Sequence, residues 1–175
     1  MRYNKAASME AYLDIETTGL SPEGSQITVI GIHLVCDENE SFVQLVGDDI
    51  TADKLLEALT GVTVIHTYNG SRFDLPFINS CLGIDLENLF PHTDLMYHCW
   101  RCHLYGGLKR VEKTLGIPRR LTDISGWDAV RLWWRYVNDY DESALQTLLE
   151  YNREDVVNLK ALKNILIERT SEAAT

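Results

Sequence analysis

Alternating apolar and polar positions near the start of the chain predict three successive strands. From position 11 to 16 the two kinds of residue alternate one by one, which is the period of an extended strand. The turn-forming segment 21–25 and the β-branched run 26–35 predict a second strand, and the polar turn 37–40 leads into a third at 41–46. Because their connections are short, these strands are expected to form an antiparallel meander.

Helical spacing follows, together with two further short strands. Leucines within 51–59 predict a helix with Thr51 as its N-cap, and segments 62–66 and 88–94 are expected to be strands. A helix between two strands favours a parallel crossover. The predicted fold class is therefore α/β: a mixed β-sheet, with an antiparallel meander of strands 1–3 and parallel strands 4–5, flanked by α-helices.

Three amphipathic helices are predicted in the second half of the chain. The helix at 107–115 has an apolar stripe on one face and basic residues on the other, namely Lys109, Arg110 and Lys113. In the next helix one stripe consists of Trp127, Val130, Trp134 and Val137. We expect this stripe to pack into the core rather than to stack on nucleobases. Apolar residues in steps of three and four predict a long final helix from Asp141 onward.

Composition predicts one globular domain over residues 1–175. Hydrophobic residues make up 45% of the chain and charged residues 24%, which are ordinary values for a soluble protein. No apolar run reaches the length of a membrane span, and the N-terminus is expected to carry no secretory signal. Four scattered cysteines favour a reducing, cytoplasmic setting.

Charge is distributed unevenly, although the net charge is −10. Between positions 98 and 120 six basic residues stand against one acid, Glu112, so this segment carries +5 and the rest of the chain −15. A basic segment of this kind predicts contact with a phosphate backbone; the alternative is a solvated surface without a partner. The pairs His98-Cys99 and Cys102-His103 lie in the same segment, and ordinary packing is favoured there over structural zinc or redox chemistry.

Two carboxylates on the first strand raise the question of a metal site. Asp14 and Glu16 project from the same face, about 6–7 Å apart. Like charges on an apolar strand repel each other and lose hydration, a cost that a divalent cation between them removes. The alternative is a strand that ends in a solvated acidic turn at Thr17-Thr18-Gly19.

Two further aspartates lie at positions where a polar side chain needs a structural or functional explanation. Asp74 comes two residues before Pro76 and is either a simple N-cap or a site residue. Asp155 falls within the buried stripe of the final helix, where an unpaired carboxylate is costly; a capping or salt-bridge role is the alternative. Tyr151 lies one helical turn before Asp155, on the same side.

Four carboxylates suit hard cations such as Mg²⁺ or Mn²⁺ better than zinc. Four is also about the number that two metal ions require when water and substrate phosphate complete their shells. The matching reaction is in-line attack on a phosphodiester. Tyr151, with a reference pKa near 10, is a poor base at neutral pH and is expected to orient the attacking water.

Three motifs in order resemble one known family. They are Asp14-Ile15-Glu16-Thr17-Thr18-Gly19, the Asn-x-x-x-Phe-Asp pattern at 69–74, and the Tyr-x-x-x-Asp pattern at 151–155. Over about residues 10–168 the chain resembles the DEDD superfamily of 3′–5′ exonucleases, and most closely its YprB-like group. This resemblance implies that the mixed β-sheet has the RNase H-like fold. The tyrosine in the third motif is typical of the DEDDy branch.

The resemblance implies specific roles and a reaction. Asp14, Glu16, Asp74 and Asp155 match the ligands of two Mg²⁺ or Mn²⁺ ions, and Tyr151 matches the water-positioning tyrosine. Thr17, Thr18 and Gly19 would contact the terminal nucleotide of single-stranded DNA or RNA with a 3′ end, and Asn69 would support the site from behind the metal ligands. From their charge, Lys109, Arg110 and Lys113 are expected to contact the phosphates of that strand. Asp94 has no role in the family pattern and is expected to be an outer carboxylate of the site. Two alternatives stay open, namely a catalytically silent nucleic-acid-binding or assembly domain, and an endonuclease on the same fold.

Overall fold

Within the described residues, five strands form a single mixed sheet. They are β1 (Met9–Thr17), β2 (Ile27–Cys36), β3 (Asn39–Val46), β4 (Val62–Thr67) and β5 (His92–Asp94). Their order is β3-β2-β1-β4-β5. β2 pairs antiparallel with β1 and β3, whereas β1–β4 and β4–β5 are parallel. The predicted α/β class, meander and parallel strand pair are confirmed.

Seven α-helices flank the sheet in the part of the chain that the structure describes, and one short 3₁₀ helix, Gly47–Asp49, follows β3. The α-helices are α1 (Ala52–Ala58), α2 (Asp74–Leu82), α3 (Leu86–Leu89), α4 (Leu95–Arg101), α5 (Leu108–Leu115), α6 (Gly126–Asp139) and α7 (Glu142–Glu172). Thr51 caps α1 as predicted, because its side chain accepts a hydrogen bond from the Lys54 backbone N–H at 3.3 Å.

The computed structural model describes residues 8–37 and 39–172. The expected absence of a secretory signal concerns the first residues of the chain, which lie outside these ranges. Glu38 of the predicted turn and residues 173–175 also lie outside them, so one domain over 1–175 stays a prediction. No helix in the described ranges is both long and apolar enough to cross a membrane.

Alternation along β1 divides the core into two layers. Ala11, Leu13 and Ile15 face α1, α2 and α3 in one apolar cluster. Tyr12 points to the opposite side, where it packs with α4, α5 and α7. Because alternate residues share a face, Asp14 and Glu16 lie on the α7 side of the sheet. The most central strand therefore carries two carboxylates toward the longest helix.

The predicted strand over 88–94 is wrong in its first half. Residues 86–89 form the short helix α3, and only His92–Asp94 pair with β4. Asp85 explains the difference, since its side chain accepts a hydrogen bond from the Asn88 backbone N–H at 3.1 Å and caps a helical turn. This local hydrogen bond favours the turn over the extended conformation.

The cysteine and histidine cluster at 98–103 straddles the end of α4. Cys99 is fully buried in the core between α4 and α7, and all four cysteines are free thiols. Among the described residues, no group of three or more His, Cys, Asp and Glu ligands close enough for a metal includes this cluster. The packing interpretation therefore accounts for Cys99.

The predicted packing face of α6 is wrong. Trp127, Trp134 and Val137 are exposed, whereas Ala129 and Trp133 are buried against Val29 of β2, Leu148 and Tyr151. The helix carries two apolar rows, and the row with the small Ala129 permits close approach to the sheet and α7. The tryptophan row that the sequence marks as core is consequently the outer face.

Candidate active site

Three carboxylates meet where β1 contacts α7. Asp14 and Glu16 come from β1 and Asp155 from α7, and one carboxylate oxygen of each lies within 4.8 Å of the others. Glu16 and Asp155 are buried, and Asp14 is partly exposed. Three oxygen ligands at this spacing fit a divalent cation. Other described ligand residues form no comparable group.

Asp74 lies beside this group but not within it. It is the first residue of α2, lines the same cavity and is almost fully buried. Its Oδ1 accepts a hydrogen bond from the Ile15 backbone N–H at 3.0 Å. The N-cap alternative is wrong, because the N-cap position belongs to Phe73. The carboxylate of Asp74 is thus tied to the strand that carries Asp14 and Glu16.

Asp94 acts through the loop that leads into α2. Its carboxylate accepts hydrogen bonds from the backbone N–H groups of Asn69 (2.8 Å), Ser71 (3.2 Å) and Met96 (3.0 Å), and from the Ser71 hydroxyl (2.7 Å). Asn69, at a φ of 64°, lines the cavity. Asp94 therefore fixes the loop that positions Asn69 and Asp74. Among the described residues, the hydrogen bonds that it accepts come from this loop and from the start of α4.

Asn152 is a site residue that the sequence analysis missed. Its Nδ2 donates to Asp14 Oδ2 at 3.2 Å, while Gln44 donates to its Oδ1 at 3.0 Å and holds the amide in place. Gly31 makes room for this contact, since a Cβ there would lie 2.2 Å from the Asn152 Oδ1. The sequence does contain one signal for this residue, since an asparagine within the buried stripe of the final helix is unusual.

Arg119 is a second residue that the sequence analysis missed. Its guanidinium binds the buried Glu112 through two hydrogen bonds, of 2.8 Å and 3.0 Å, and also donates to Asp155. The side chain is 5% exposed. Asp155 therefore forms the salt bridge that was the alternative interpretation, and it also belongs to the carboxylate group. Planar arginine suits this role because it can bind two carboxylates at once.

Tyr151 contributes a protonated phenol to the cavity. Burial and the neighbouring charge of Asp155 raise its pKa well above the usual value. The ammonium group of Lys109 lies 4.2 Å from the centre of its ring, close enough for a cation–π contact. Lys109 also donates to the carbonyl oxygen of Ile124. Tyr151 is thus a hydrogen-bond donor at neutral pH and not a base.

Without a cation, the carboxylates repel each other. Burial, followed by the charges of Asp74 and Asp155, raises the pKa of Asp14. Burial likewise raises the pKa of Glu16, to which the charge of Asp155 adds. The pKa of Asp74 rises to about 7 and that of Asp155 to about 6, both chiefly through burial, with Arg119 opposing the shift of Asp155. Arg119 offsets only part of this repulsion, and the remainder fits a resident divalent ion.

These pKa shifts predict that divalent ions stabilise the protein in a pH-dependent way. Between about pH 4 and pH 7 the folded protein binds more protons at Asp74 and Asp155 than the unfolded chain, so their contribution to stability falls as pH rises. Mn²⁺ should therefore raise the melting temperature by several degrees at pH 8 and much less at pH 5, where protons occupy the carboxylates.

Melting curves with Mn²⁺ or EDTA at the two pH values measure this difference. His66 titrates in the opposite sense, since burial lowers its pKa to about 4, but it does so equally with and without metal. Comparing Mn²⁺ with EDTA at each pH therefore cancels the contribution of His66 to the melting temperature. An equal rise at both pH values would contradict the assignment of the ion to these carboxylates.

The remaining predicted substrate residues lie around this group. Thr17 and Gly19 line a cavity of about 360 Å³ together with the four carboxylates and Tyr151. Thr18 instead holds the turn through paired hydrogen bonds of 3.0 Å with the backbone of Gln26. Lys109 and Arg110 line an adjoining opening that also reaches Asp155. Lys113 does not line that opening but shares a neighbouring one with Lys109 and Arg110.

The basic segment is smaller than its composition indicates. Arg119 is paired with Glu112 and Asp155, and the exposed Arg120 with Glu150 and Glu154. Acidic residues of α7 thus neutralise two of the six cations. The cations near the carboxylates that remain for a phosphate backbone are those of α5.

Two curated proteins are similar to the chain. One is the uncharacterized protein YprB of Bacillus subtilis, 28% identical over 166 residues, an alignment that covers 86% of this chain and 40% of YprB. The other is the uncharacterized protein MJ0365 of Methanocaldococcus jannaschii, 24% identical over 175 residues, covering 91% of this chain and 96% of that protein. The chain thus spans about two fifths of YprB and nearly all of MJ0365.

Solved structures share the fold. A family B DNA polymerase from Pyrobaculum calidifontis superimposes with a TM-score of 0.69 and 16% identity, over 91% of this chain and 24% of the polymerase. Brucella melitensis NrnC bound to pGG gives a TM-score of 0.63 and 22% identity, over 97% of this chain and 76% of NrnC. A structure of NrnC with bound Mg²⁺ superimposes with a TM-score of 0.61, at the same identity and coverage.

The resemblance inferred from the three motifs is confirmed at the level of fold and superfamily, including the relation to YprB. Assignment to the tyrosine branch stays a prediction. The RNase_H superfamily model matches residues 11–167, a range that includes β1 and almost all of α7. The chain belongs to the RNase_H superfamily.

Proposed function

We propose that this protein is a metal-dependent 3′–5′ exonuclease of the DEDDy type that acts on single-stranded nucleic acid. The supporting observation is the meeting of Asp14, Glu16 and Asp155 in one cavity beside the protonated phenol of Tyr151. Oxygen ligands, a phenol donor and nearby cations together suit a phosphodiester substrate. NrnC, which shares the fold, has been solved with pGG and with Mg²⁺.

Asp14, Glu16 and Asp155 would hold a first divalent ion, Mg²⁺ or Mn²⁺, and Asp74 would help to hold a second. Such ions supply positive charge that stabilises a phosphodiester under attack, and they acidify water. The fit rests on the donors themselves, all carboxylates with pKa values raised by burial and mutual repulsion. The identity of the ion and the number of ions are part of the proposal.

The chain's own residues position the reactants. Tyr151 donates a hydrogen bond from its phenol and so orients water for in-line attack. Asn152 restrains the Asp14 carboxylate by donating a 3.2 Å hydrogen bond to it. Arg119 holds one oxygen of Asp155 and leaves the other for a ligand. The turn at Thr17 and Gly19 and the Asn69 loop border the same cavity and would contact the terminal nucleotide.

Release from the 3′ end follows from the resemblance to the DEDD superfamily and agrees with the size of the site. A cavity of about 360 Å³ lies in the range of pockets that hold one small ligand, as expected if one nucleotide is removed at a time. Lys109, Arg110 and Lys113, on the α5 side, would contact the phosphates of the remaining strand.

The proposal is tested with 5′-labelled single-stranded DNA and RNA in Mg²⁺, Mn²⁺ or EDTA. We expect products that shorten progressively from the 3′ end in either metal, no reaction in EDTA, and no cleavage of a circular single strand. Cleavage of the circle would support the endonuclease alternative. If every substrate stays uncut in both metals, the result would support the catalytically silent binding or assembly domain.

A further inference from the structure

A second cavity, of about 250 Å³, lies between α4 and the C-terminal part of α7 and shares no lining residue with the carboxylate cavity. Lys163, which lines it, comes eight residues after Asp155 on α7, a distance of about 12 Å along a helix. No aspartate or glutamate is among the described residues that line it. Four of its side chains can carry positive charge, namely His66, His98, Arg101 and Lys163. The cavity is therefore separate from the carboxylates and opposite to them in charge.

His66 is a buried side chain in this cavity that lacks a hydrogen bond. It is 4% exposed, and neither of its ring nitrogens has a hydrogen-bond partner among the described residues. The Glu10 carboxylate lies 3.6 Å from its Nε2, which is too long for a hydrogen bond. That carboxylate instead accepts from the Tyr12 hydroxyl at 2.7 Å and from Lys163 at 2.6 Å. Because buried polar groups are normally paired, the imidazole is suited to a ligand in the cavity.

The sheet holds the imidazole of His66 in place. In the parallel ladders His66 lies beside Tyr12 of β1 and Thr93 of β5. Its ring stacks on that of Tyr12, with the centroids 4.9 Å apart. Since burial lowers its pKa to about 4, the ring is neutral at pH 7 and offers one N–H donor. The donor is thus part of a rigid element before any ligand arrives.

Two cations of this cavity have unused hydrogen-bond donors. Arg101, exposed at the end of α4, forms neither a salt bridge nor a side-chain hydrogen bond with any described residue. The carbonyl groups of residues 98–100 do not need it, because backbone N–H groups of residues 102–104 donate to them. Lys163 donates to both oxygens of Glu10, and its ammonium group has three N–H groups, so that one is left over. An anion that accepts hydrogen bonds fits these donors.

We propose that this cavity binds a phosphate group, either as the free ion or as a small phosphomonoester. A phosphate has enough acceptor oxygens for His66, Arg101 and Lys163 together. A volume of about 250 Å³ lies below the range of pockets that hold drug-sized ligands, so a whole nucleotide is too large. Leu95 and Ile167 give the cavity an apolar side that a short carbon chain would cover. Binding here does not depend on the proposed nuclease activity.

NMR of the imidazole ring protons measures the binding of inorganic phosphate and of glycerol 3-phosphate in EDTA at pH 7. Without a divalent ion the carboxylate cavity repels phosphate, so shifts of the His66 and His98 resonances report the second cavity. The chain has five histidines, and the spectrum of His66→Phe identifies the resonances of His66. We expect saturable shifts with a dissociation constant of about 1 mM or lower. Tighter binding of glycerol 3-phosphate would identify a phosphomonoester as the ligand, and tighter binding of inorganic phosphate the free ion.

Two variants test the donors, with the His98 resonances as the readout in every protein. His66→Phe keeps an aromatic ring on Tyr12 and removes no hydrogen bond to a described residue, so it should fold like the unaltered protein. It should weaken phosphate binding about tenfold, the effect of losing one hydrogen bond to a charged group. Arg101→Gln should weaken binding by at least the same factor. Arg169→Gln is the matched control, since Arg169 is exposed on α7 outside the cavity, and it should leave the affinity unchanged.

Two results would overturn the phosphate site. The first is a set of His66 resonances that neither compound moves in the unaltered protein. The second is an equal phosphate affinity of the unaltered protein, His66→Phe and Arg101→Gln, since the ion would then bind elsewhere. Neither result bears on nucleotide release, which depends on the carboxylates.

Discussion

Asp14→Asn is expected to lower metal-dependent nucleotide release by at least about 10³-fold while the protein stays folded. A carboxylate that holds a metal ion contributes several kcal/mol to charge stabilisation in the transition state, and an amide is a poor replacement. The substitution keeps the shape of the side chain and its contact with Asn152. It also removes one of the repelling charges, so the melting temperature in EDTA at pH 8 should rise. Initial rates and melting curves measure the two effects.

Asp139→Asn provides a matched control, because Asp139 is an exposed carboxylate at the end of α6. It should change neither the rate nor the metal-induced rise in melting temperature. Asp155→Asn should also abolish activity without lowering the melting temperature in EDTA at pH 8, because burial raises the pKa of Asp155 in spite of its pair with Arg119. Nucleotide release by Asp14→Asn at the unaltered rate would remove the basis of the metal assignment.

Arg119→Met is expected to lower the free energy of unfolding by about 3–5 kcal/mol, the usual cost of breaking a buried ion pair from one side. The substitution leaves Glu112, which is 1% exposed, without its cation; Asn158, which donates to it at 2.9 Å, remains as a neutral partner. Urea denaturation curves, fitted with one m-value for both proteins, measure the loss in free energy of unfolding.

Arg120→Met is the neighbouring comparison. Arg120 is 79% exposed and pairs with Glu150 and Glu154 at the surface, where such pairs contribute about 0–1 kcal/mol. Combining Arg119→Met with Glu112→Gln should recover part of the loss, because the unpaired buried charge is then removed. Similar costs for Arg119→Met and Arg120→Met would show that the buried network adds nothing to stability.

The sequence predicts the sheet and the carboxylates well because both depend on local pattern. Two-residue alternation placed Asp14 and Glu16 on one face of β1, and the buried stripe of α7 marked Asp155 as an anomaly. Both observations follow from the geometry of one element at a time. The structure adds the distance between elements, which brings these three residues together and leaves Asp74 at their side.

Residues whose role depends on long-range contacts were missed for the same reason. Arg119 follows α5 but acts on α7, and Asn152 is held by Gln44, which is 108 positions away. The outward face of α6 was misassigned because two apolar rows compete there, and only the packing of Ala129 and Trp133 decides which row is buried. Local spacing carries no information about which neighbour each row meets.

The place of β1 within the sheet has a consequence for motion. It pairs with β2 along its length and with β4 over Met9–Tyr12, so its paired amide hydrogens should exchange with deuterium only when the whole domain opens. Beyond Tyr12 the Ile15 backbone N–H is held by Asp74 instead, and Asp94 fixes the loop before α2. The backbone segments that carry Asp14, Glu16 and Asp74 should therefore open together, as one cooperative unit.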